Sequence, residues 1–198
     1  MGEVSDKTKA LGERKSRIIA AAVGCFLENG YNQTGIREIA KKAGISLGNL
    51  YNHFRSKEDV LAEIAVLERE ELQPFQRLLT DHDDPMKTLM RFVSEFANYT
   101  ASEEYAVLSI EIAAEAVHNP EIASLFMANR SLLVTSLQAL LEKGQADKCF
   151  RNFADSKQTA ELILDTIEGY ALREYLTTGR KILGTEELGN FIRHATCR

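Results

Sequence analysis

Apolar residues recur along almost the whole chain with the spacing of an amphipathic α-helix, and this periodicity restricts the fold more than any other feature. In the segment 14–29, for example, Ile18, Ala22 and Phe26 recur every four residues and would line one helical face. No stretch shows the sustained apolar and polar alternation, rich in β-branched residues, of a half-buried strand. We therefore predict an all-α protein.

Cap residues and helix breakers divide this pattern into about nine helices. The polar, aperiodic residues 1–13 are expected to form a flexible arm, followed by a first helix over 14–29 that stops at Gly30. Gly144 is expected to end the helix that starts near Pro120. Helix starts are predicted at the cap residues Thr34, Ser46, Ser56, Asp84, Asn119, Asp155 and Thr185.

Length and composition indicate an ordinary globular protein. With 198 residues and 44% hydrophobic content, the chain can bury a sizeable core. An apolar leader and a membrane-spanning run are both missing from the sequence, so we expect a cytoplasmic protein with no membrane partner. Cys25, Cys149 and Cys197 are far apart and form no C-x-x-C motif, which indicates free thiols, with Cys25 in the core.

The charge is unevenly distributed. The net charge of −5 taken alone argues against a nucleic-acid binder. Residues 1–60, however, hold ten Lys or Arg against seven Asp or Glu, a balance of +3, while the other 14 basic and 22 acidic residues leave −8 in residues 61–198. A basic head on an acidic body suits a chain that meets phosphate with one surface only.

The stretch from Thr34 to Leu61 has the pattern of a helix-turn-helix at about residues 34–54. Ala40 is small where a second helix must cross closely, and Gly44 suits the positive φ of a three-residue turn. The second helix would bury Leu50 and Phe54 and begin with small or polar residues, as entry into the major groove requires. A plain αα corner is the alternative interpretation.

This stretch resembles the DNA-binding signature of the TetR family over residues 15–64. The resemblance rests on Phe26 with Gly30-Tyr31, Ile39-Ala40, Gly44, and the run Leu50-Tyr51-x-His53-Phe54 followed by Lys57. It implies a DNA-binding domain over residues 1–60 and a helical effector-binding and dimerisation domain over 61–198. The function it implies is a regulator, most often a repressor, that binds an inverted-repeat operator as a dimer and is released by a small molecule.

Carried over by position, the resemblance implies a set of DNA contacts. Leu47, Gly48 and Asn49 would meet base edges, with Arg37 at the backbone or an adjacent base. Leu47 and Gly48 offer no side-chain hydrogen bonds, so readout would rest on Asn49, Arg37, thymine methyls and DNA shape. The full set of expected contacts is Thr34, Arg37, Ser46, Leu47, Gly48, Asn49, Tyr51, Asn52, His53 and Lys57.

Three of these residues have a simpler alternative. Tyr51 could be a core aromatic rather than a phosphate contact, although Leu50 and Phe54 already take the inward positions. His53 could make a structural hydrogen bond. Lys57 could be a solvated charge, but a cation at a helix start opposes the helix dipole, and an approaching phosphate would supply a reason for it.

The body shows no catalytic pattern. Glu111, Glu115 and His118 share one helical face, and Glu115-x-x-His118 is half of a di-iron motif, but no second Glu-x-x-His exists to complete it. Nucleophile and phosphate-binding motifs are also missing. We expect no enzyme, no metal site and no cofactor.

The family resemblance implies that the body contains a small-molecule pocket. A stripe of aromatic residues, however, more often belongs to an ordinary hydrophobic core. Glu111 would suit a cationic effector, whose identity the sequence does not give. The expected ligand-binding residues are Phe92, Phe96, Tyr99, Glu111 and Phe126. The alternative is a helical interaction or architectural protein that binds DNA without an effector.

The resemblance also implies a homodimer. The helices at about 156–178 and 185–197 would pack with their copies as a four-helix bundle. Ile163, Ile167, Tyr170 and Ala171 are expected in or near the seam.

Overall fold

The computed structural model describes residues 2–80, 84–178 and 184–197, with side chains from residue 12 onward. In these ranges, every secondary-structure element of more than one residue is an α-helix, as predicted. Within these described ranges, no helix has the length and hydropathy needed to span a membrane. The helices of the described ranges are α1 (Gly2–Asn29), α2 (Ile36–Lys42), α3 (Leu47–Tyr51), α4 (Lys57–Leu79), α5 (Pro85–Thr100), α6 (Glu103–Ala116), α7 (Pro120–Ala146), α8 (Ser156–Thr178) and α9 (Glu186–Thr196).

The residues group into two compact units. The head unit comprises Met1–Leu67 and Val107–Leu125, and the body unit comprises Glu68–Ala106 and Phe126–Arg198. The head unit thus includes the later part of α6 and the start of α7 as well as the N-terminal helices. A boundary at residue 60 remains a prediction.

The head unit is built on α1. Ile18, Ala22 and Phe26 lie on its inner face and are at most 1% exposed, and α2 packs against α1 and α3 against α2. Gly30 ends α1 with φ +79°, a conformation that glycine adopts without strain. Tyr31 follows and packs its ring edge-on against Phe26, with the centroids 5.2 Å apart.

In the body unit α5 is the central helix, packing against both α8 and α9. Its buried residues include Leu89, Phe92, Val93 and Phe96, and Phe75 of α4 lies edge-on to Phe96 at 5.2 Å. Burial of these aromatic rings supplies much of the apolar area that stabilises the unit.

Most of the predicted caps are present. The side chains of Ser46, Ser56, Asp84, Asn119 and Asp155 each accept a backbone N–H three residues on, at 2.9–3.3 Å. These contacts are local, which is why sequence spacing identifies them.

Three predicted boundaries are wrong. The first helix begins at Gly2 and not at Arg14, because extending an existing helix costs little once it has nucleated. Gly35 and not Thr34 is the N-cap of α2. Thr185 is the N-cap of α9 as predicted, but its side chain makes no capping hydrogen bond. Gly144 lies inside α7, where a Cβ would come within 2.1 Å of the Phe150 ring, so this glycine permits close packing instead of ending the helix.

Candidate nucleic-acid interface

The α2–α3 pair forms a helix-turn-helix with a buried inner face. Ile39 and Ala40 of α2 and Leu50 of α3 are at most 3% exposed. Gly44 has φ +67°, and the Ile45 N–H donates to the Ala40 carbonyl at 3.0 Å, which closes the turn. The Ser46 hydroxyl then caps α3 by accepting the Asn49 N–H. The positive φ of Gly44 and these short-range hydrogen bonds therefore set the direction of α3.

The start of α3 presents small and polar groups. Ser46, Gly48 and Asn52 are exposed, and Leu47, Asn49 and His53 are half-buried. A Cβ placed on Gly48 would meet no atom within 4 Å, so its surroundings are open. A base edge can approach such a surface closely.

Tyr51 and Arg37 also face outward. Tyr51 is 49% exposed, while Leu50 and Phe54 fill the inward positions, so Tyr51 is not a core aromatic. Arg37 is exposed in the first turn of α2. The His53 ring lies 6.5 Å from that of Phe54.

Thr34 is built into the interior of the head. Its side chain is 2% exposed, and its hydroxyl donates to the carbonyls of Gly30 at 2.8 Å and Cys25 at 3.2 Å. The hydroxyl thus fastens the α1–α2 connection to the end of α1. This buried position is not compatible with a contact between the Thr34 side chain and DNA.

Lys57 is engaged within the head as well. Its Nζ donates to the carbonyls of Tyr31 at 2.5 Å and Thr34 at 3.1 Å and lies 4.0 Å from the centre of the Tyr31 ring. Desolvation lowers the Lys57 pKa, although Glu58 and Glu115 oppose this. The ammonium joins the start of α4 to the α1–α2 connection, which accounts for a cation at this helix start.

Two basic residues near α3 were missed by the sequence analysis. Lys15 and Arg55 line a cleft of about 390 Å³ together with Tyr51 and His53. Arg55 is exposed, and Lys15 pairs with Glu63 at 2.6 Å. Because Arg55 directly follows Phe54, the sequence alone could have indicated that it lies near α3. Lys15 is distant in sequence and reaches the cleft only through the packing of α1.

The residues expected to form the effector pocket lie in different surroundings. Phe92 and Phe96 are at most 1% exposed and stack at 5.2 Å, so neither has the accessible surface of a cavity wall. Tyr99 and Phe126 are half-buried. Glu111 lies in the head unit, where its carboxylate accepts the Tyr31 N–H at 2.7 Å.

The acidic face of α6 is likewise engaged in protein contacts. Glu111 binds the Tyr31 amide, and Glu115 accepts the Asn119 side-chain amide at 3.4 Å. In the part of the chain that the structure describes, no group of three His, Cys, Asp or Glu residues is arranged to hold a metal ion. These carboxylates therefore help to position the α1–α2 and α6–α7 connections.

Known proteins with similar sequences point to one family. Residues 18–64 match the family model described as bacterial regulatory proteins, tetR family. The HTH-type transcriptional regulator UidR of Escherichia coli (strain K12) is 29% identical over 161 residues, 78% of each chain. The HTH-type transcriptional repressor KstR2 of Rhodococcus jostii (strain RHA1) is 26% identical over 171 residues, 82% of this chain and 80% of the relative.

The likeness in fold extends over both units. The transcriptional regulator FadR from Bacillus subtilis, solved in complex with stearoyl-CoA, aligns with a TM-score of 0.76 at 21% identity, covering 90% of this chain and 95% of that chain. These relatives are regulators and not enzymes. The sequence signature, the helix-turn-helix and the relatives agree: this chain belongs to the TetR family of DNA-binding transcriptional regulators.

Proposed function

We propose that the protein is a repressor that binds an inverted-repeat operator as a homodimer and releases it when a small molecule binds the body unit. The observation that carries the DNA-binding part is the open, polar start of α3 on a buried scaffold. Repression and effector release are supported by the relatives, since KstR2 is named a repressor and FadR was solved with stearoyl-CoA.

Within this proposal, the contacts divide into two kinds. Asn49 reads a base edge, with Leu47 and Gly48 allowing the backbone to come close and Arg37 adding a contact from α2. The phosphate contacts are assigned to Ser46, exposed at the start of α3, and to four exposed or half-buried residues that line the cleft, namely Tyr51, Asn52, His53 and Arg55. Thr34 and Lys57 support the head from inside and do not touch DNA.

The proposed dimer seam uses a different face of α8 from the one predicted. Ile163, Ile167 and Ala171 are buried in the core of their own chain, and the Tyr170 hydroxyl donates to the Gly184 carbonyl at 3.2 Å. The exposed face instead carries Leu162, Gly169 and Leu176.

This face has the spacing of a helix-packing seam. Leu162 is 59% and Leu176 69% exposed, and Gly169 lies midway between them with open space around it. These residues are seven apart, so they lie along one side of the helix. Phe191 of α9 is 62% exposed and would extend the apolar surface. Burial of these side chains in a second copy is the proposed source of dimer stability.

Binding to the DNA upstream of the protein's own coding region tests the function. Fluorescence anisotropy of a labelled duplex should show salt-dependent, sequence-specific binding, and small-molecule candidates should weaken it by roughly 5–150-fold. Specific binding that no candidate alters would favour a regulator or architectural protein without an effector. The absence of specific binding at any salt concentration would contradict the proposal.

The residue assignment has its own test. Asn49→Ala should weaken operator binding by about 1–3 kcal/mol per half-site and barely affect random DNA, because a base contact carries sequence information. Asn152→Ala, at an exposed position in the body unit, is the matched control and should bind as the wild type does. Equal losses on operator and random DNA would place Asn49 on a phosphate instead.

A further inference from the structure

The body unit contains a cluster of carboxylates with few cations. Glu68 and Glu71 come from α4, and Asp165 and Glu168 from α8. The Arg130 guanidinium of α7 binds Asp165 at 2.5 Å and Glu168 at 2.6 Å. We refer to these four carboxylates, with Arg130, as the acidic cluster.

Arg130 does not neutralise the acidic cluster. Both of its ion pairs go to α8, and Glu68 has a hydrogen bond from the Asn129 amide at 2.7 Å but forms no salt bridge within the described residues. Burial raises the pKa of Glu68 to about 7 and also raises that of Glu168. Removing unpaired carboxylates from water is unfavourable, so the site would gain from an added positive charge.

Two tyrosines complete the surroundings. The rings of Tyr99 and Tyr105 lie 5.0 Å apart at 58°, and the Tyr99 hydroxyl donates to Glu71 at 2.8 Å. Tyr105 is half-buried, and its neighbouring charges are Glu168, Glu68 and Arg130. Tyr105 therefore lies beside the charged groups of the acidic cluster.

These side chains retain accessible surface that the neighbouring core lacks. Glu68, Tyr99, Tyr105 and Glu168 are half-buried, whereas Phe96, which stacks on Tyr99 at 6.1 Å, is 1% exposed. The acidic cluster therefore lies at a place that solvent, and hence a ligand, can reach.

We propose that Glu68, Glu71, Tyr99 and Tyr105 bind an organic cation, an amine or quaternary ammonium, as the effector. The carboxylates supply the opposite charge, and the tyrosine rings supply faces that attract a cation. This names the effector class and rests on the proposed effector response.

Two other ligand classes suit the acidic cluster less well. An anion would need Arg130, whose guanidinium already binds two carboxylates. A metal ion needs several converging ligands, and the described residues contain no group of three that could supply them. An organic cation needs only charge and aromatic faces, both of which are present.

Isothermal titration calorimetry on the full chain tests the charge preference. The probes are choline and benzyltrimethylammonium, with 3,3-dimethylbutan-1-ol as the uncharged isostere of choline and octanoate as an anion. We expect at least one cation to bind and choline to bind at least tenfold more tightly than its isostere. Equal binding of choline and its isostere, binding of octanoate alone, or no cation binding would overturn the proposal.

Variants then locate the site. Glu68→Gln keeps the shape and can still accept the Asn129 amide, so it should fold and weaken cation binding at least tenfold. Tyr105→Phe retains the ring and should weaken it less. Glu95→Gln, a surface acid paired with Arg91, is the matched control and should change nothing. Unchanged affinity in Glu68→Gln would contradict the assignment.

Failure of this inference can be told apart from failure of the proposed function. Operator affinity is measured on the same preparations without any probe. A chain that binds its operator but no cation retains the regulatory role and loses only the effector class. A chain that binds a cation through Glu68 but no operator retains the site and loses the proposed function.

Discussion

Lys57 shows how one side chain can join three segments of the head. Its ammonium binds the carbonyls of Tyr31 and Thr34 and lies over the Tyr31 ring. Lys57→Met keeps the length but leaves both carbonyls without this donor, so we expect the free energy of unfolding to fall by about 1–3 kcal/mol. Urea denaturation measures this, and Lys41→Met, at an exposed lysine of α2, should change it by less than about 0.5 kcal/mol.

The same variant separates an internal role from a phosphate contact. If Lys57 acts inside the head, the slope of log affinity against log salt should stay close to that of the wild type in folded Lys57→Met. A fully stable variant whose slope falls by roughly 0.9 per half-site would show that the lysine neutralises a phosphate instead.

Residues whose partners are local could be predicted from the sequence, and residues with distant partners could not. Ser46 and Gly44 act within a few positions, so spacing alone predicted the cap and the positive φ. Lys57 and Glu111 bind the α1–α2 connection from 26 and 80 residues away. No periodicity encodes such pairings, which is why both residues were expected to bind external ligands.

Glu68 gives a pH-dependent prediction. Its pKa is raised from 4.5 to about 7 by burial, with Glu168 and Glu71 adding to the rise and the Asn129 hydrogen bond opposing it. The folded state thus prefers the protonated acid, and this contribution to stability is complete below pH 4.5 and lost as the pH rises through 7. The charged groups and tyrosines around it are Glu71, Tyr99, Tyr105, Arg130 and Glu168.

Glu68→Gln should therefore unfold nearly like the wild type at pH 4 and be more stable at pH 8. The rise in pKa from 4.5 to about 7 sets an upper limit of roughly 3 kcal/mol on the difference. Urea denaturation at the two pH values, at one protein concentration, measures it. Lower stability of the variant at pH 8 would mean that the Glu68 carboxylate is paired and stabilising in the folded state.

At the scale of helices, the sequence predicted where α8 lies but not which side faces the core. The helix is apolar on more than one side, with Ile163, Ile167 and Ala171 buried and Leu162 and Leu176 exposed. A 3.6-residue pattern with two apolar faces does not distinguish the core from an interface. Packing against α5 decides it, and that contact is visible only in the fold.

The exposed side of α8 predicts the effect of charge on assembly. Leu162→Glu combined with Leu176→Glu should give a folded monomer, because both side chains leave the core untouched and would bury carboxylates in the proposed seam. Sedimentation velocity at micromolar concentration measures this. Val66→Glu with Val117→Glu, at exposed valines of the head unit, should stay dimeric. Unchanged dimers of the α8 variant would rule out this seam.

At the scale of the whole molecule, dimerisation should determine whether a head that binds DNA weakly on its own can recognise an operator specifically. Each head offers a five-residue α3 with few groups able to read bases, so high operator affinity requires two heads on two half-sites. Once one head is bound, the proposed dimer would hold the second at a high local concentration.

The Leu162→Glu, Leu176→Glu monomer should therefore bind the operator at least about 100-fold more weakly than the wild type. Its slope of log affinity against log salt should fall to about half, because one head neutralises half as many phosphates. Binding to a single half-site should differ little between the two proteins, apart from the small repulsion of the added carboxylates. Fluorescence anisotropy on the full operator, one half-site and random DNA measures all three. A monomeric variant with wild-type operator affinity and slope would show that one head suffices, and the inverted-repeat proposal would then be abandoned.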